Sequence, residues 1–237
     1  MTEWKAKRFW KTASVAEADG GYGIMLDARS LKTPGKKSLI LPTRRMAEAI
    51  AVEWNAQGED IQPLTMPVTR AANSAIERVA PQKTEVANML AAYAETDLLS
   101  HRATDPVSLQ ERQAQAWDPL LDWAAETYGA RLYVIEGIIA VKQPPESLKA
   151  LSYLLHSFDS FHLTALHDLV AMSGSLILGL AVSQGRLDPD EAWRISRIDE
   201  EWQIEQWGRD EEADANASLK RDQFLQAHQF WRLATLF

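Results

Sequence analysis

The hydrophobic spacing of this chain changes period once, near residue 43, and that change restricts the possible folds more than any other feature. Before it, turn signals fall every few residues: Gly20-Gly21, then Asp27-Ala28-Arg29-Ser30, then Thr33-Pro34-Gly35. Between them Tyr22 to Leu26 alternates like a half-buried strand, and Ser38-Leu39-Ile40-Leu41 is a further short extended segment. Short strands joined by close turns make a small antiparallel sheet. After residue 43 the apolar residues recur at helical spacing. Met46, Ala47, Ile50, Ala51 and Trp54 follow a Thr43 cap, and this helix ends near Gly58.

Helices dominate from there on. Pro67 to Val79 directs Val68, Ala72, Ala75, Ile76 and Val79 toward a core, with Arg70, Asn73 and Glu77 as a ridge on the other side. Pro106 to Tyr128 is a long helix; Pro145 to Phe158, Phe161 to Met172 and Gly174 to Gln184 are three more. Asp188-Pro189-Asp190-Glu191 is a helix start with its cap and first-turn proline in place. A last helix runs from Glu211 to Leu233, and Thr96 to Arg102 and Arg131 to Ile139 can pair as a short ribbon. The segment Gln57 to Pro67, with two prolines and no clear period, is the expected linker. The fold class is therefore α+β. A small N-terminal antiparallel β-rich domain with one helix (1–62) precedes a larger, mostly α-helical domain of orthogonal-bundle type (63–237).

The run Asp199 to Gly208 stands apart, with two tryptophans, an isoleucine and several carboxylates in ten residues. Read as one helix, Ile195, Ile198, Trp202 and Glu205 share a stripe, while Ile204 and Trp207 point to the other side. Such a helix is buried on both sides or waits for a partner. Glu205 interrupts the apolar stripe, and a carboxylate there needs a partner. Either Arg209, four residues on, holds it as an intrahelical ion pair, or it is a recognition or catalytic carboxylate.

Several function classes are excluded. Net charge is −8, which opposes nonspecific nucleic-acid binding. The charge is uneven: residues 1–45 carry ten Lys/Arg and four Asp/Glu, a balance of +6, against −14 for the rest. A chain without cysteine has no disulfide, thiolate metal site or thiol nucleophile. The apolar run Leu169 to Val182 is too short and too rich in serine and glycine to span a bilayer. The basic start, Met1 to Arg8, is too brief for a transit peptide.

No reaction signature survives inspection. Gly35-Lys36-Lys37-Ser38 lacks the upstream glycine of a phosphate-binding loop and has a lysine where the metal-binding hydroxyl belongs. Gly20-Gly21-Tyr22-Gly23 lacks dinucleotide spacing. His162 and His167 are out of helical register as metal ligands, and Ser173-Gly174-Ser175 is not a nucleophile elbow. Three constellations remain. Arg70, Asn73 and Glu77 form a solvated face or a polar contact surface. Trp54 is a core anchor for the small lobe. Trp202 to Trp207, aromatic and flanked by acids, has the composition of an interface.

At these residues the chain resembles a known family, the assembly chaperones that bind the α subunit of the catalytic head of F-type ATP synthase. The similar stretches include Arg8-Phe9-Trp10-Lys11, Leu26 to Pro34, Ala49 to Glu59 and Met66 to Asn73. They continue through Thr96-Asp97-Leu98-Leu99, Trp117 to Trp123 and Trp202 to Gly208, in order along nearly the whole chain. The family pattern has glycine at Ala28, so the conformation of that turn is a local question.

The resemblance implies a β-rich domain followed by a helical one, no cofactor, no metal and no turnover. It implies a monomer, not inserted in membranes, that binds the free α subunit and masks its β-facing surface until assembly. Because the match begins by Arg8, a bacterial cytoplasmic member is expected, or a trimmed form in the mitochondrial matrix. Glu205, Trp202 and Trp207 are the expected partner contacts, with Arg70 and Asn73 as a second polar surface. Two other readings make different predictions. A small-molecule enzyme with Glu205 as acid or base in an interdomain cleft needs a raised Glu205 pKa and a ligand pocket there, with Arg70 binding an anion. A general holdase protects unrelated denatured proteins equally.

Overall fold

The computed structural model describes residues 7–137 and 141–236. Residues 1–6 of the basic start and Ile138-Ile139 of the expected ribbon lie outside the described residues. The chain forms two compact units. One comprises residues 1–82, 160–164 and 229–237; the other comprises 83–159 and 165–228.

In the first unit, β1 (Ala13–Ala18), β2 (Gly21–Leu26) and β3 (Arg29–Ser30) form an antiparallel sheet in that order. The register runs from Ala13 opposite Leu26 to Ala18 opposite Gly21. Gly21 is required here: its φ is +155°, and a Cβ would sit 2.3 Å from the Leu41 carbonyl oxygen. That close approach lets the extended chain at Leu41 exchange two hydrogen bonds with Tyr22, at 3.0 and 2.8 Å. In the β2–β3 turn it is Asp27 that takes the left-handed conformation (φ 52°), not Ala28. The missing glycine therefore costs the turn nothing. The Asp27 carboxylate accepts the Lys11 and Thr12 N–H groups at 2.9–3.2 Å, bonds that hold its pKa below the ordinary value.

Ile24 and Leu26, on the buried side of β2, meet Met46, Ala47, Ile50 and Ala51 of α1 (Arg44–Asn55). Each such burial contributes about 1.5–3 kcal/mol for a large aliphatic side chain. Thr43 caps α1 as expected, accepting from the Met46 N–H at 3.1 Å, and donates to the Leu233 carbonyl at 2.5 Å. At the other end of α1 the Arg8 guanidinium donates to the carbonyls of Asn55 and Gln57 and lies over the Trp10 ring. A cation here complements the negative end of the helix dipole. Trp54 packs against Trp10 with ring centroids 4.9 Å apart, which is the anchoring role the sequence suggests.

The next helix, α2 (Pro67–Ser74), has no side-chain cap of its own. Glu53 of α1 supplies one: its carboxylate accepts from the Val68 and Thr69 N–H groups and the Thr69 hydroxyl at 2.6–2.8 Å. After Ser74 the chain loosens into a π turn, Ala75–Val79, and then a 3₁₀ turn, Ala80–Gln82. This breaks the expected straight helix, so Ile76 and Val79 are only half-buried. It also turns Glu77 away from the Arg70–Asn73 ridge. The Glu77 carboxylate instead accepts the Gly35 N–H, and the Thr33 hydroxyl and that N–H hold its pKa down. The loop that faintly resembled a phosphate site is thus fastened to a carboxylate.

The second unit is helical: α3 (Lys83–Ala92), α4 (Val107–Tyr128), α5 (Pro145–Ser157), α6 (Ser160–Ser173), α7 (Leu176–Ser183), α8 (Pro189–Ser196), α9 (Ile198–Trp207) and α10 (Glu211–Ala234). The first turn of α6 and the end of α10 belong to the first unit. The expected ribbon is present as β4 (His101–Arg102) paired parallel with β5 (Ile135–Glu136). Residues Leu176 to Val182 are all buried, so α7 is the apolar centre of its unit. Gly179 lets α6 approach: a Cβ there would lie 2.8 Å from Val170. The N-terminus of α7 is satisfied by Ser175, its cap, and by fully buried Asp97, which accepts from the Ile177 and Leu99 N–H groups. Burial drives the Asp97 pKa up while these donors oppose the rise.

Candidate functional site

The run from Ile195 to Trp207 is two helices, not one. The chain leaves helical geometry at Arg197 (φ −111°, ψ 19°), ending α8, and α9 begins at Ile198. The single stripe read from the sequence is therefore divided. Ile195 and Ile198 are buried, Trp202 and Ile204 are half-buried, and Trp207 is 80% exposed. Gly208, at φ 90°, ends α9 immediately after Trp207.

The partner of Glu205 is Arg112 on α4, not Arg209. Arg112 donates to both carboxylate oxygens, at 2.7 and 3.0 Å, the two-pronged geometry that suits a guanidinium. The same guanidinium lies 5.1 Å from the centroid of the Trp202 ring. Arg209 pairs with Asp214 at 3.1 Å instead. One residue along α4, Gln113 donates to Asp199 at 2.6 Å. Further along, the Trp117 indole N–H donates to the Ile195 carbonyl at 2.9 Å. Trp117 also underlies Arg102, which pairs with Asp118 at 2.5 Å. The Trp117-Asp118 pair in the sequence thus serves to fix α4 and Arg102.

These contacts settle the electrostatics of Glu205. The hydrogen bond from Arg112 leads the causes that hold its carboxyl below the ordinary value of 4.5, and both partners remain partly exposed. An acid–base catalyst needs the opposite shift, so the reading of Glu205 as a catalytic acid fails on its environment. Among the described residues no group of three or more His, Asp or Glu is placed to hold a metal, and no helix is long and apolar enough to cross a membrane.

Of the expected contact residues, Trp202 and Glu205 are brought together through Arg112, and Trp207 stands free at the end of the same helix. Arg70, exposed, and Asn73, half-buried, belong to the other unit. Arg112 is the residue that reading the sequence misses. It sits among Glu111, Gln113 and Gln115 on a long amphipathic helix, and nothing local distinguishes it from a solvated cation. Beside it, α4, α8 and Arg186-Leu187 enclose an open pocket of about 360 Å³ with Leu120, Ile195 and Ile198 in its lining.

An exposed indole beside a braced carboxylate suits the recognition of another protein. Comparison with known proteins gives the family. A sequence model of the ATP12 chaperone protein matches residues 7–125, and the chain belongs to that family. It is a family of chaperones, not of enzymes. The chain is similar to the solved structure of Atp12 from Paracoccus denitrificans, with 52% identity and a TM-score of 0.96 over 98% of this chain and 100% of that one. It is also similar to a putative chaperone from Agrobacterium tumefaciens, at 38% identity and a TM-score of 0.92 over 97% of this chain and 86% of that one. In the fission yeast Schizosaccharomyces pombe, mitochondrial protein atp12 is 27% identical over 219 residues, 87% of this chain and 75% of that protein.

Proposed function

We propose that this chaperone acts in assembly of F-type ATP synthase, holding the free α subunit and masking the surface that the β subunit later covers. Trp202, Glu205 and Trp207 make the main contact, and Arg70 and Asn73 add a second polar surface. The observation that carries the reading is Trp207, an indole left 80% exposed at the end of a helix whose neighbouring charges are paired. Membership in the ATP12 chaperone family and the family strings in the sequence support it. The physical logic needs no turnover. An unassembled subunit of a ring exposes interface that would aggregate, and reversible cover suppresses this until the true partner competes. The site of action is the bacterial cytoplasm, or the matrix for a mitochondrial member.

Co-purification with isolated α and β subunits of the ATP synthase, with and without ATP, tests this. The expected result is a complex with α alone, indifferent to ATP hydrolysis. Glu205→Lys places a cation beside Arg112 and should abolish the complex while the protein stays folded by circular dichroism. A chaperone that captures neither subunit, or that protects unrelated denatured proteins equally well, would overturn the α-specific reading.

A further inference from the structure

The pocket beside Arg112 has a composition at odds with the rest of the chain. Three guanidinium groups, those of Arg112, Arg186 and Arg194, line it against a single carboxylate, that of Glu191. Outside the basic first 45 residues the chain carries a balance of −14, which disfavours an acidic ligand.

The three cations are not equivalent. Arg112 is committed to Glu205, and Arg194 is gripped by Glu191 at 2.5 and 2.8 Å. Arg186 is exposed and, among the described residues, has no acidic partner. The floor between them is apolar, with Leu120, Leu187 and Ile198. Pro119 and Gln115 also line it. The pocket therefore offers an anion receptor and an apolar floor. A peptide segment matches both, with a carboxylate and an aliphatic side chain.

We propose that this pocket receives an acidic segment of the client polypeptide, a carboxylate side chain next to an aliphatic one, with Arg186 as its primary receptor. The inference rests on the assignment of the α subunit as client and extends it. Arg112 joins the two regions, since it lines the pocket while bracing Glu205 and Trp202. The client contact thus extends from α9 across α4 to Arg186.

The test measures binding of purified α subunit, and of 15-residue peptides tiled across it, to the wild-type protein and to Arg186→Glu and Arg186→Lys. Arg186→Glu should bind the α subunit about tenfold more weakly or worse, whereas Arg186→Lys keeps most of the affinity. The peptides captured should carry Asp or Glu beside Leu, Ile or Val, and their amide counterparts should be lost. Raising salt from about 50 to about 500 mM should weaken the wild type more than Arg186→Glu. Wild-type affinity in Arg186→Glu, with Glu205→Lys still blocking the complex, would overturn the pocket and leave the client assignment standing. A wild-type protein that binds no α subunit would overturn both. Because Arg186 is exposed, thermal unfolding of each variant separates loss of contact from loss of fold.

Discussion

Replacing Trp207 with alanine separates a contact residue from a core residue, and its size can be worked from the structure. A tryptophan buries up to about 250 Å² when fully covered. With 80% of the side chain open in the free protein, a client that covers it removes roughly 200 Å² from water. At about 25 cal/mol per Å² this is about 5 kcal/mol before costs. Fixing the side chain costs about 0.5–1.5 kcal/mol, and alanine keeps some of the contact. Trp207→Ala should therefore weaken α-subunit binding by about 3–4 kcal/mol, two to three orders of magnitude in Kd. Folding stability should change by no more than about 0.5 kcal/mol, as for other exposed positions. Trp117→Ala is the contrast. That side chain is 1% exposed, so its loss should cost about 3–5 kcal/mol of folding stability. Isothermal titration calorimetry with the α subunit and urea unfolding of both variants provide the two readouts. Binding by Trp207→Ala within twofold of wild type would place the indole outside the contact and refute the argument.

Two further outcomes follow from the geometry. Because Arg112 lowers the Glu205 pKa, the pair contributes above the ordinary value of 4.5 and is lost as pH falls through the lowered folded value. Carboxyl carbon shifts should show Glu205 titrating below 4.5 in the wild type and moving up toward it in Arg112→Ala; an unchanged midpoint would mean that the pair does not form in solution. Glu53→Ala removes the side-chain acceptor at the start of α2 and should cost about 0.5–2 kcal/mol in urea unfolding. Glu53→Gln, which keeps an acceptor, should cost less, and equal stability of all three proteins would refute the capping role.

Much of the fold is legible because it is encoded locally. Thr43 and Asp188 sit three residues before the N–H groups they cap, so the signal and its target lie in one short window. The β1–β2 hairpin is likewise announced by Gly20-Gly21 at the turn and the alternation from Tyr22 to Leu26. Reading fails where a competing term is distant. The break at Arg197 divides a sequence that keeps its helical period, and the π turn at Ala75–Val79 follows eight residues of regular helix. The Arg209 pairing assigned to Glu205 was the local choice. Arg112, ninety-three positions away, offers two hydrogen bonds and a tryptophan face, and it wins.

Residue types and their spacing were enough to establish an α+β chain with a sheet first and helices after, and to single out Trp202, Glu205 and Trp207. The tertiary structure alone decided which of those side chains faces a neighbour and which faces water. It put Arg112 under Glu205, Glu53 at the start of α2 and Arg8 at the end of α1. A side chain's partner is set by what the fold carries within about 3 Å of it, and chain order holds no direct record of that distance.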